Sequence, residues 1–169
     1  MENRNILFMK ELFVSNNDWD SHRELLYAAL NNTNRAIAEF GVGEGSTPLI
    51  RGFGVIGNRR TYHYENNRDW MFRIGGPTEF VRDWNEVELP SDVELLFVDC
   101  APGEARKDLI AKFANDAKVI VVHDTEPGAE YVYGMKDVLN SFKYRLDYKP
   151  EGKPHTTAVS NFVNVTEWL

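Results

Sequence analysis

The chain has 169 residues, of which 43% are hydrophobic, and its 26 acidic residues outnumber its 19 basic ones. A chain of this length buries about 70% of its unfolded surface on folding, so it can form a core without cross-links. The net charge of −7 disfavours a broad contact with nucleic acid, and the single cysteine, Cys100, excludes an internal disulfide and a cysteine-rich zinc site.

The chain length predicts one domain over residues 1–169, with an N-terminal helical segment at residues 1–34 and a body of sheet and helices at residues 35–169. The first ten residues lack the basic flank and long apolar run of a secretory signal. No apolar stretch reaches the ~20 residues that cross a bilayer. We therefore expect a cytoplasmic protein without a membrane partner.

The first predicted element is a helix at residues 21–30, in which Ser21 and Glu24 have the spacing of a capping box. A short apolar strand, Ala36–Phe40, follows and leads through a glycine-rich segment into a second helix that begins near Ser46. The other predicted strands lie at residues 60–65, 78–84, 93–100, 118–122, 144–148 and 157–165, and the other predicted helices at residues 68–74, 104–114 and 133–142.

The order of these elements indicates the fold class. Helices and strands alternate through most of the chain, and two consecutive strands close it. The strands at residues 93–100 and 118–122 are continuous apolar runs, which is typical of strands covered on both faces of a mostly parallel sheet. We predict a doubly wound, three-layer α/β/α fold with a seven-stranded, mostly parallel sheet that ends in an antiparallel C-terminal hairpin.

The glycine-rich segment is the first candidate for a ligand site. Its glycines are Gly41, Gly43 and Gly45, which let a ligand approach the backbone closely. A dinucleotide-binding fingerprint has glycines at the first, third and sixth positions, but here the sixth position is Ser46. Glu44 also places a negative charge inside the loop, where a pyrophosphate would be repelled. The alternative is a glycine-rich turn that binds nothing.

Acidic residues stand at or near the ends of the predicted strands, which is where ligands bind in open parallel sheets. A group of acids there suits hydroxyl, amine or metal partners better than phosphates. The fifth strand ends in a histidine followed by an aspartate. These strand-end residues are Glu39, Glu65, Asp83, Asp99, His123 and Asp124.

The segment from Glu39 to Gly45 resembles the first motif of class I S-adenosylmethionine-dependent methyltransferases, and the resemblance extends over residues 36–165. It implies a Rossmann-like fold with S-adenosylmethionine as cofactor. In that family an acid at the end of the second strand, matched by Glu65, holds the ribose hydroxyls, and charge-assisted hydrogen bonds suit that role. The residues implied to bind the cofactor are Glu39, Gly41, Gly43, Gly45, Ser46, Glu65, Asp83, Trp84 and Asp99, with Asp83 and Trp84 at the adenine.

Asp99 and the His123–Asp124 pair resemble residues of a branch that methylates oxygens of small molecules and sugars. In related catechol-type enzymes acids at these strand ends hold a divalent metal, which implies Mg²⁺ or Mn²⁺ at Asp99, His123 and Asp124. The sequence departs from the catechol pattern, which has an aspartate–asparagine pair at the position of His123 and Asp124. The catalytic hypothesis is that His123 or Asp124 removes or orients the acceptor proton. Alternatively, His123 is structural and bonds a neighbouring loop.

Three further predictions concern the acceptor and the closure of its site. Residues 125–134 are predicted to form an aromatic flap over a small-molecule or sugar-like acceptor. A nucleic-acid acceptor is disfavoured, because Cys100-Ala-Pro follows Asp99 where methyltransferases that act on nucleic-acid bases have a Pro-Pro-aromatic segment. Residues 85–92 are too few for a crossover helix, so either a large acceptor or a second subunit of a homo-oligomer closes the site.

Two other functions are the alternatives to a methyltransferase: a non-catalytic methyltransferase-like binding domain and an NAD(P)-dependent oxidoreductase.

Overall fold

The computed structural model describes residues 20–169, which form one seven-stranded sheet. The strand order is β3-β2-β1-β4-β5-β7-β6, in which β1 to β5 run parallel and β7 runs antiparallel to both β5 and β6. This arrangement confirms the predicted doubly wound sheet with its antiparallel hairpin. The strands are β1 (Ala36–Phe40), β2 (Thr61–Glu65), β3 (Glu79–Phe80), β4 (Val93–Val98), β5 (Val119–His123), β6 (Tyr144–Tyr148) and β7 (Thr156–Ser160).

Helices cover both faces of the sheet because successive strand residues point to opposite sides. Ile37 of β1 lies in one core cluster with Leu25 and Leu49, whereas its neighbour Ala38 lies in the other with Leu109. The sheet is therefore the middle of three layers. The helices are α1 (Arg23–Asn31), α2 (Ser46–Ile56), α3 (Arg68–Ile74), α4 (Ala105–Lys112), α5 (Pro127–Val132) and α6 (Lys136–Asn140).

The two central strands of the sheet, β4 and β5, are buried along their whole length. Their largely apolar sequences predicted this burial. Between β3 and β4 the chain forms only a 3₁₀ turn, Trp84–Glu86, before it enters β4, so the short crossover predicted at residues 85–92 is confirmed. Because the five strands β1 to β5 run parallel, their carboxyl ends lie along one edge of the sheet.

Several predicted boundaries were wrong. The strand predicted at residues 78–84 is reduced to Glu79–Phe80, because Asp83 caps a 3₁₀ turn instead of extending the strand. The helix predicted at residues 133–142 is replaced by two short helices, α5 and α6, separated by Gly134 with its positive φ of 65°. The last strand ends at Ser160 rather than at residue 165.

The capping box predicted at Ser21 and Glu24 was also wrong. Helix α1 begins at Arg23 with His22 as its N-cap, and no side chain caps it. The hydroxyl of Ser21 instead forms a hydrogen bond with the His123 ring, 102 residues away in sequence. A long-range contact has therefore displaced the local cap.

Residues 1–19 lie outside the described residues, and with them most of the predicted N-terminal segment and the residues used to assess a secretory signal. Within residues 20–169, no helix is both long and apolar enough to cross a membrane.

Candidate functional site

The candidate site lies where the strand order reverses, between β1 and β4. Strands β2 and β3 extend the sheet on one side of β1, and β4 and β5 extend it on the other. The connections that leave β1 and β4 therefore diverge to opposite faces and open a crevice at the carboxyl ends of the strands, where doubly wound sheets bind ligands. The backbone amide of Asp99 donates to the Phe40 carbonyl at 2.8 Å, which fixes the two strand ends side by side.

The glycine loop connects β1 to α2 at this crevice. Gly41 has a φ of 88°, and a Cβ on it would collide with the backbone of Asp99 and Cys100. The position therefore requires glycine because the loop crosses directly over the end of β4. A Cβ on Gly43, by contrast, would meet only the Ser46 hydroxyl, at 3.1 Å. Gly43 is thus the loop position with the most space beside its Cα, while its amide and carbonyl both bond Thr47.

Glu39 is fully buried beneath the loop and holds its base together. Its Oε2 accepts hydrogen bonds from the Thr47 hydroxyl at 2.9 Å and from His63 Nδ1 at 2.6 Å. Thr47 Oγ1 in turn accepts from the Gly43 amide at 2.9 Å. The other carboxylate oxygen of Glu39 and the hydroxyl of Ser46 are buried without a partner among the described residues. Buried polar atoms are nearly always paired, so these two indicate a missing polar group at the loop.

Glu65 ends β2 and fastens the loop from the other side. Its Oε2 accepts from the Val42 amide at 3.1 Å, and its Oε1 accepts from the amides of Asn66 and Asn67, both at 2.9 Å. Burial raises the pKa of Glu65, although these three amides oppose the shift. The Trp70 indole also donates to the Val42 carbonyl at 2.5 Å. Glu65, which is predicted to hold the ribose hydroxyls, therefore also fixes the conformation of the glycine loop.

The structure separates the predicted adenine-contacting pair. Trp84 is 5% exposed, its ring lies 5.7 Å from that of Phe40, and its indole donates to the Ala101 carbonyl at 2.8 Å. Asp83 is exposed and accepts from the Asn85 amide at 2.9 Å as the cap of the 3₁₀ turn. Trp84 thus belongs to the core, while the Asp83 carboxylate stays at the surface.

The strand-end residues Asp99, His123 and Asp124 do lie together, as predicted. His123 Nδ1 is 3.3 Å from Asp99 Oδ2 and 3.5 Å from Asp124 Oδ1. A carboxylate only accepts, so Nδ1 donates, and Nε2 pairs with the Ser21 hydroxyl at 3.0 Å, as an acceptor in the neutral ring and as a donor in the charged ring. Burial lowers the pKa of His123, but the Asp99 carboxylate outweighs burial and the net shift is upward.

Arg106, which sequence reasoning missed, joins the two aspartates. Its Nη2 lies 2.9 Å from Asp99 Oδ1 and its Nη1 lies 3.0 Å from Asp124 Oδ2. Nε also donates to the Cys100 carbonyl and Nη1 to the His123 carbonyl, both at 2.9 Å. Asp124 is held here with a φ of 54°, which is rare for a residue with a side chain. The hydrogen bond and charge of His123, followed by the charge of Arg106, hold the pKa of Asp99 below its usual range despite burial.

His22 is a second residue of the site that belongs to no sequence motif. It is 2% exposed, and its ring lies 4.8 Å from that of His123 and 5.1 Å from that of Phe97. Burial, followed by the charge of His123, lowers its pKa to about 4, so the ring is neutral. Both ring nitrogens are buried without a hydrogen-bond partner among the described residues. Only the tertiary fold brings α1 against the ends of β4 and β5.

The predicted flap at residues 125–134 is largely helical, because α5 occupies Pro127–Val132. Tyr133 packs against Gly103, where a Cβ would collide with its ring, and it lies 5.4 Å from the Arg106 guanidinium. Tyr131 is 86% exposed on the outer side of the same helix. Of the two tyrosines in this segment, Tyr133 therefore lies beside Arg106 at the site, and Tyr131 lies in solvent.

Comparison with known proteins identifies the class of fold. Neither a family model nor a curated protein sequence matches this chain. Among solved structures, an S-adenosylmethionine-dependent O-methyltransferase from Thermotoga maritima matches with a TM-score of 0.63 and 13% identity, over 84% of this chain and 65% of that one. The O-methyltransferase TomG from Streptomyces achromogenes, solved with S-adenosylmethionine, matches with a TM-score of 0.57 and 13% identity, over 95% and 91%.

An O-methyltransferase from Bacillus cereus, in complex with the demethylated cofactor, matches with a TM-score of 0.57 and 8% identity, over 95% of this chain and 92% of that one. These identities are low, so the matches establish the fold. The chain has the Rossmann-like fold of class I S-adenosylmethionine-dependent O-methyltransferases, as its glycine motif and strand-end acids predicted.

Proposed function

We propose that the protein transfers a methyl group from S-adenosylmethionine to an oxygen of a small-molecule or sugar-like acceptor. The observation that carries the proposal is the glycine loop at the switch point of the sheet. Glu65 fastens it through the Val42 amide, Asp99 lies directly beneath Gly41, and Gly43 has space beside its Cα. A loop with that space beside buried carboxylates suits a cofactor that has hydroxyl and ammonium groups and no phosphate.

The proposed cofactor residues divide by the group each would contact. Gly41, Gly43 and Gly45 would let the methionine portion approach the backbone, and the unpaired atoms of Glu39 and Ser46 would accept its polar hydrogens. Glu65 would hold the ribose diol. Asp99, Asp83 and Trp84 are the other proposed cofactor residues. Of the two proposed to contact the adenine, Asp83 has the more accessible side chain, because the Trp84 ring is packed in the core.

The proposed reaction is an in-line displacement at the methyl carbon. The acceptor oxygen forms a bond to that carbon, the carbon–sulfur bond breaks, and its electron pair returns to sulfur, which leaves as a neutral thioether. The acceptor's proton passes to the cluster at the ends of β4 and β5. His123 Nε2 is the atom that receives it, and Asp99 holds the ring through Nδ1. Positioning supplies most of the rate, and proton removal contributes a smaller factor.

The Mg²⁺ or Mn²⁺ ion implied by the sequence resemblance does not fit the predicted trio of Asp99, His123 and Asp124. Mg²⁺ requires oxygen ligands in a near-octahedral arrangement. One oxygen of each aspartate is already bound by Arg106, whose guanidinium supplies the positive charge between them. We therefore derive no step through an ion held by these three residues.

The second candidate is a non-catalytic binding domain with a methyltransferase fold. The observation in its favour is that His123 is 4% exposed and has partners at both ring nitrogens, Ser21 and Asp99. In that case the domain would bind the cofactor without transferring the methyl group. An NAD(P)-dependent oxidoreductase is disfavoured by the spacing of the glycines and by Glu44.

The proposal is tested by incubating the purified chain with methyl-labelled S-adenosylmethionine and a panel of phenols, sugars and amines. Labelled ether products, with equal release of the demethylated cofactor, are expected for at least one hydroxyl compound and none of the amines. His123→Asn should reduce that transfer while cofactor binding is retained. Cofactor binding without transfer to any acceptor would favour the binding domain.

A further inference from the structure

His22, Asp99 and His123 converge on one point at the edge of the sheet. They come from three separate elements, the N-cap of α1 and the carboxyl ends of β4 and β5. Each offers one ligand atom, and these atoms all lie within 4.8 Å of one another. We refer to the three residues as the His22 cluster. It differs from the sequence-predicted metal trio in having His22 in place of Asp124.

His22 is the member that needs an explanation. Burying a ring nitrogen without a hydrogen-bond partner is unfavourable, so such groups are rare without water or an ion beside them. Imidazole ligates metals through a nitrogen that carries no proton, and neither nitrogen of this ring has a hydrogen-bond partner among the described residues. The N-cap of α1 thus places an imidazole without such a partner against a second imidazole and a carboxylate.

The chemistry of the donors selects the class of ion. Two imidazoles and one carboxylate suit Zn²⁺ and neighbouring transition ions, whereas Mg²⁺ prefers oxygen alone. Zinc–ligand bonds are about 2.0–2.2 Å long, so ligand atoms around one ion stand about 3–3.5 Å apart. The three ligand atoms lie within 4.8 Å of one another, so binding of one ion requires the side chains to rotate inward. Three protein ligands also match the number found in zinc sites that leave a position open.

The positions of the ligand atoms place Asp99 in this cluster and leave Asp124 out of it. Arg106 binds one oxygen of each aspartate, and the other oxygen faces His123 Nδ1, at 3.3 Å for Asp99 and 3.5 Å for Asp124. The group of ligand atoms that all lie within 4.8 Å of one another includes Asp99 and not Asp124. The His22 ring packs edge-on against that of His123, with 4.8 Å between the ring centroids.

We propose that His22, Asp99 and His123 bind a divalent transition ion of the zinc class. Ion binding itself requires no particular activity of the protein, whereas its catalytic consequence rests on the proposed methyl transfer. An acceptor hydroxyl bound at an open position would lose its proton more readily. In the ion-loaded protein His123 serves as a ligand, and in the ion-free protein it remains the proton acceptor.

The test is calorimetric titration of Zn²⁺ into the full chain after removal of metals with EDTA, repeated with Co²⁺ to record its visible spectrum. One ion per chain is expected, with imidazole-type Co²⁺ absorption. His22→Phe keeps an apolar ring beside Phe97 and should weaken Zn²⁺ binding at least 100-fold. Asp124→Asn should change it less than threefold. The melting temperature and binding of the demethylated cofactor are measured on each variant to confirm that it folds.

Three outcomes overturn the inference: no stoichiometric Zn²⁺ binding by the wild type, unchanged binding by His22→Phe, or loss of binding in Asp124→Asn. Should His22→Phe fail to fold, Asp99→Asn replaces it, with the same expected loss of at least 100-fold. Failure of the proposed function is a separate result, because it appears as absence of cofactor binding or of methyl transfer whether or not Zn²⁺ binds.

Discussion

The guanidinium of Arg106 lies 2.9 Å from the carboxylate of Asp99 and thereby ties the start of α4 to the end of β4. Arg106 is 6% exposed, and its remaining donors reach Asp124 and two backbone carbonyls. A buried arginine of this kind stabilises a charged cluster only while all partners are present. The candidate site therefore depends on a residue outside every motif in the sequence.

Arg106→Met should lower the free energy of unfolding by up to about 3–5 kcal/mol, because it leaves the partly buried carboxylates of Asp99 and Asp124 without their cation. The matched control is Arg60→Met, which removes the exposed pair of Arg60 with Asp92, separated by 3.3 Å. That change should cost about 0–1 kcal/mol. Urea denaturation of the three proteins measures both values, and equal losses would contradict the role assigned to Arg106.

Glu65→Ala should affect both stability and cofactor binding. It removes the acceptor for the amides of Val42, Asn66 and Asn67, so we expect a loss of about 1–3 kcal/mol and a loosened glycine loop. The affinity for the demethylated cofactor should fall at least about tenfold, or ~1.4 kcal/mol. Glu88→Ala, at an exposed acid away from the loop, is the control. Calorimetry would contradict the assignment if Glu65→Ala bound the cofactor as the wild type does.

Gly43→Ala separates cofactor binding from folding. A Cβ on Gly43 would meet only the Ser46 hydroxyl at 3.1 Å, so the melting temperature should stay close to that of the wild type. Cofactor affinity should nevertheless fall, because the methyl group occupies the space beside the loop in which the ligand is proposed to bind. Gly128→Ala, where a Cβ has nothing within 4 Å, controls for the general effect of replacing glycine. Undiminished affinity in Gly43→Ala would place the cofactor elsewhere.

The Cys100 thiol should be unreactive in the folded protein. Burial raises its pKa to about 12, which leaves about one thiolate in ten thousand molecules at pH 8. A chromogenic disulfide reagent at pH 8 should therefore label the native chain far more slowly than the urea-unfolded chain. Comparable labelling rates would show that the end of β4 is open to solvent, contrary to the packing described above.

The sheet could be predicted because its signals are local. Strands β4 and β5 are almost entirely apolar and lie within one or two residues of their predicted bounds, so their burial and parallel pairing followed from the sequence. The predicted boundaries were wrong where another interaction was favoured over the one that the local sequence pattern predicts. The spacing of Ser21 and Glu24 fits a capping box, yet the Ser21 hydroxyl bonds His123 across the fold.

The site was only partly predictable for the same reason. Glu65 and Asp99 were found because they end strands, and strand ends share one edge of a parallel sheet. Arg106 lies in the first turn of α4 and His22 is the N-cap of α1, and neither belongs to a sequence motif. The one available signal for Arg106 was its position in the first turn of the helix that follows Asp99. His22 had none, because its importance comes from burial against Phe97 and His123.

The most direct test of the central claim is calorimetric titration of S-adenosylmethionine, its demethylated product and NAD into the purified chain. Binding of both sulfur compounds with one site per chain is predicted, with no heat from NAD and with binding lost in Gly43→Arg. Absence of binding by either sulfur compound, or binding of NAD in their place, would contradict the proposed function.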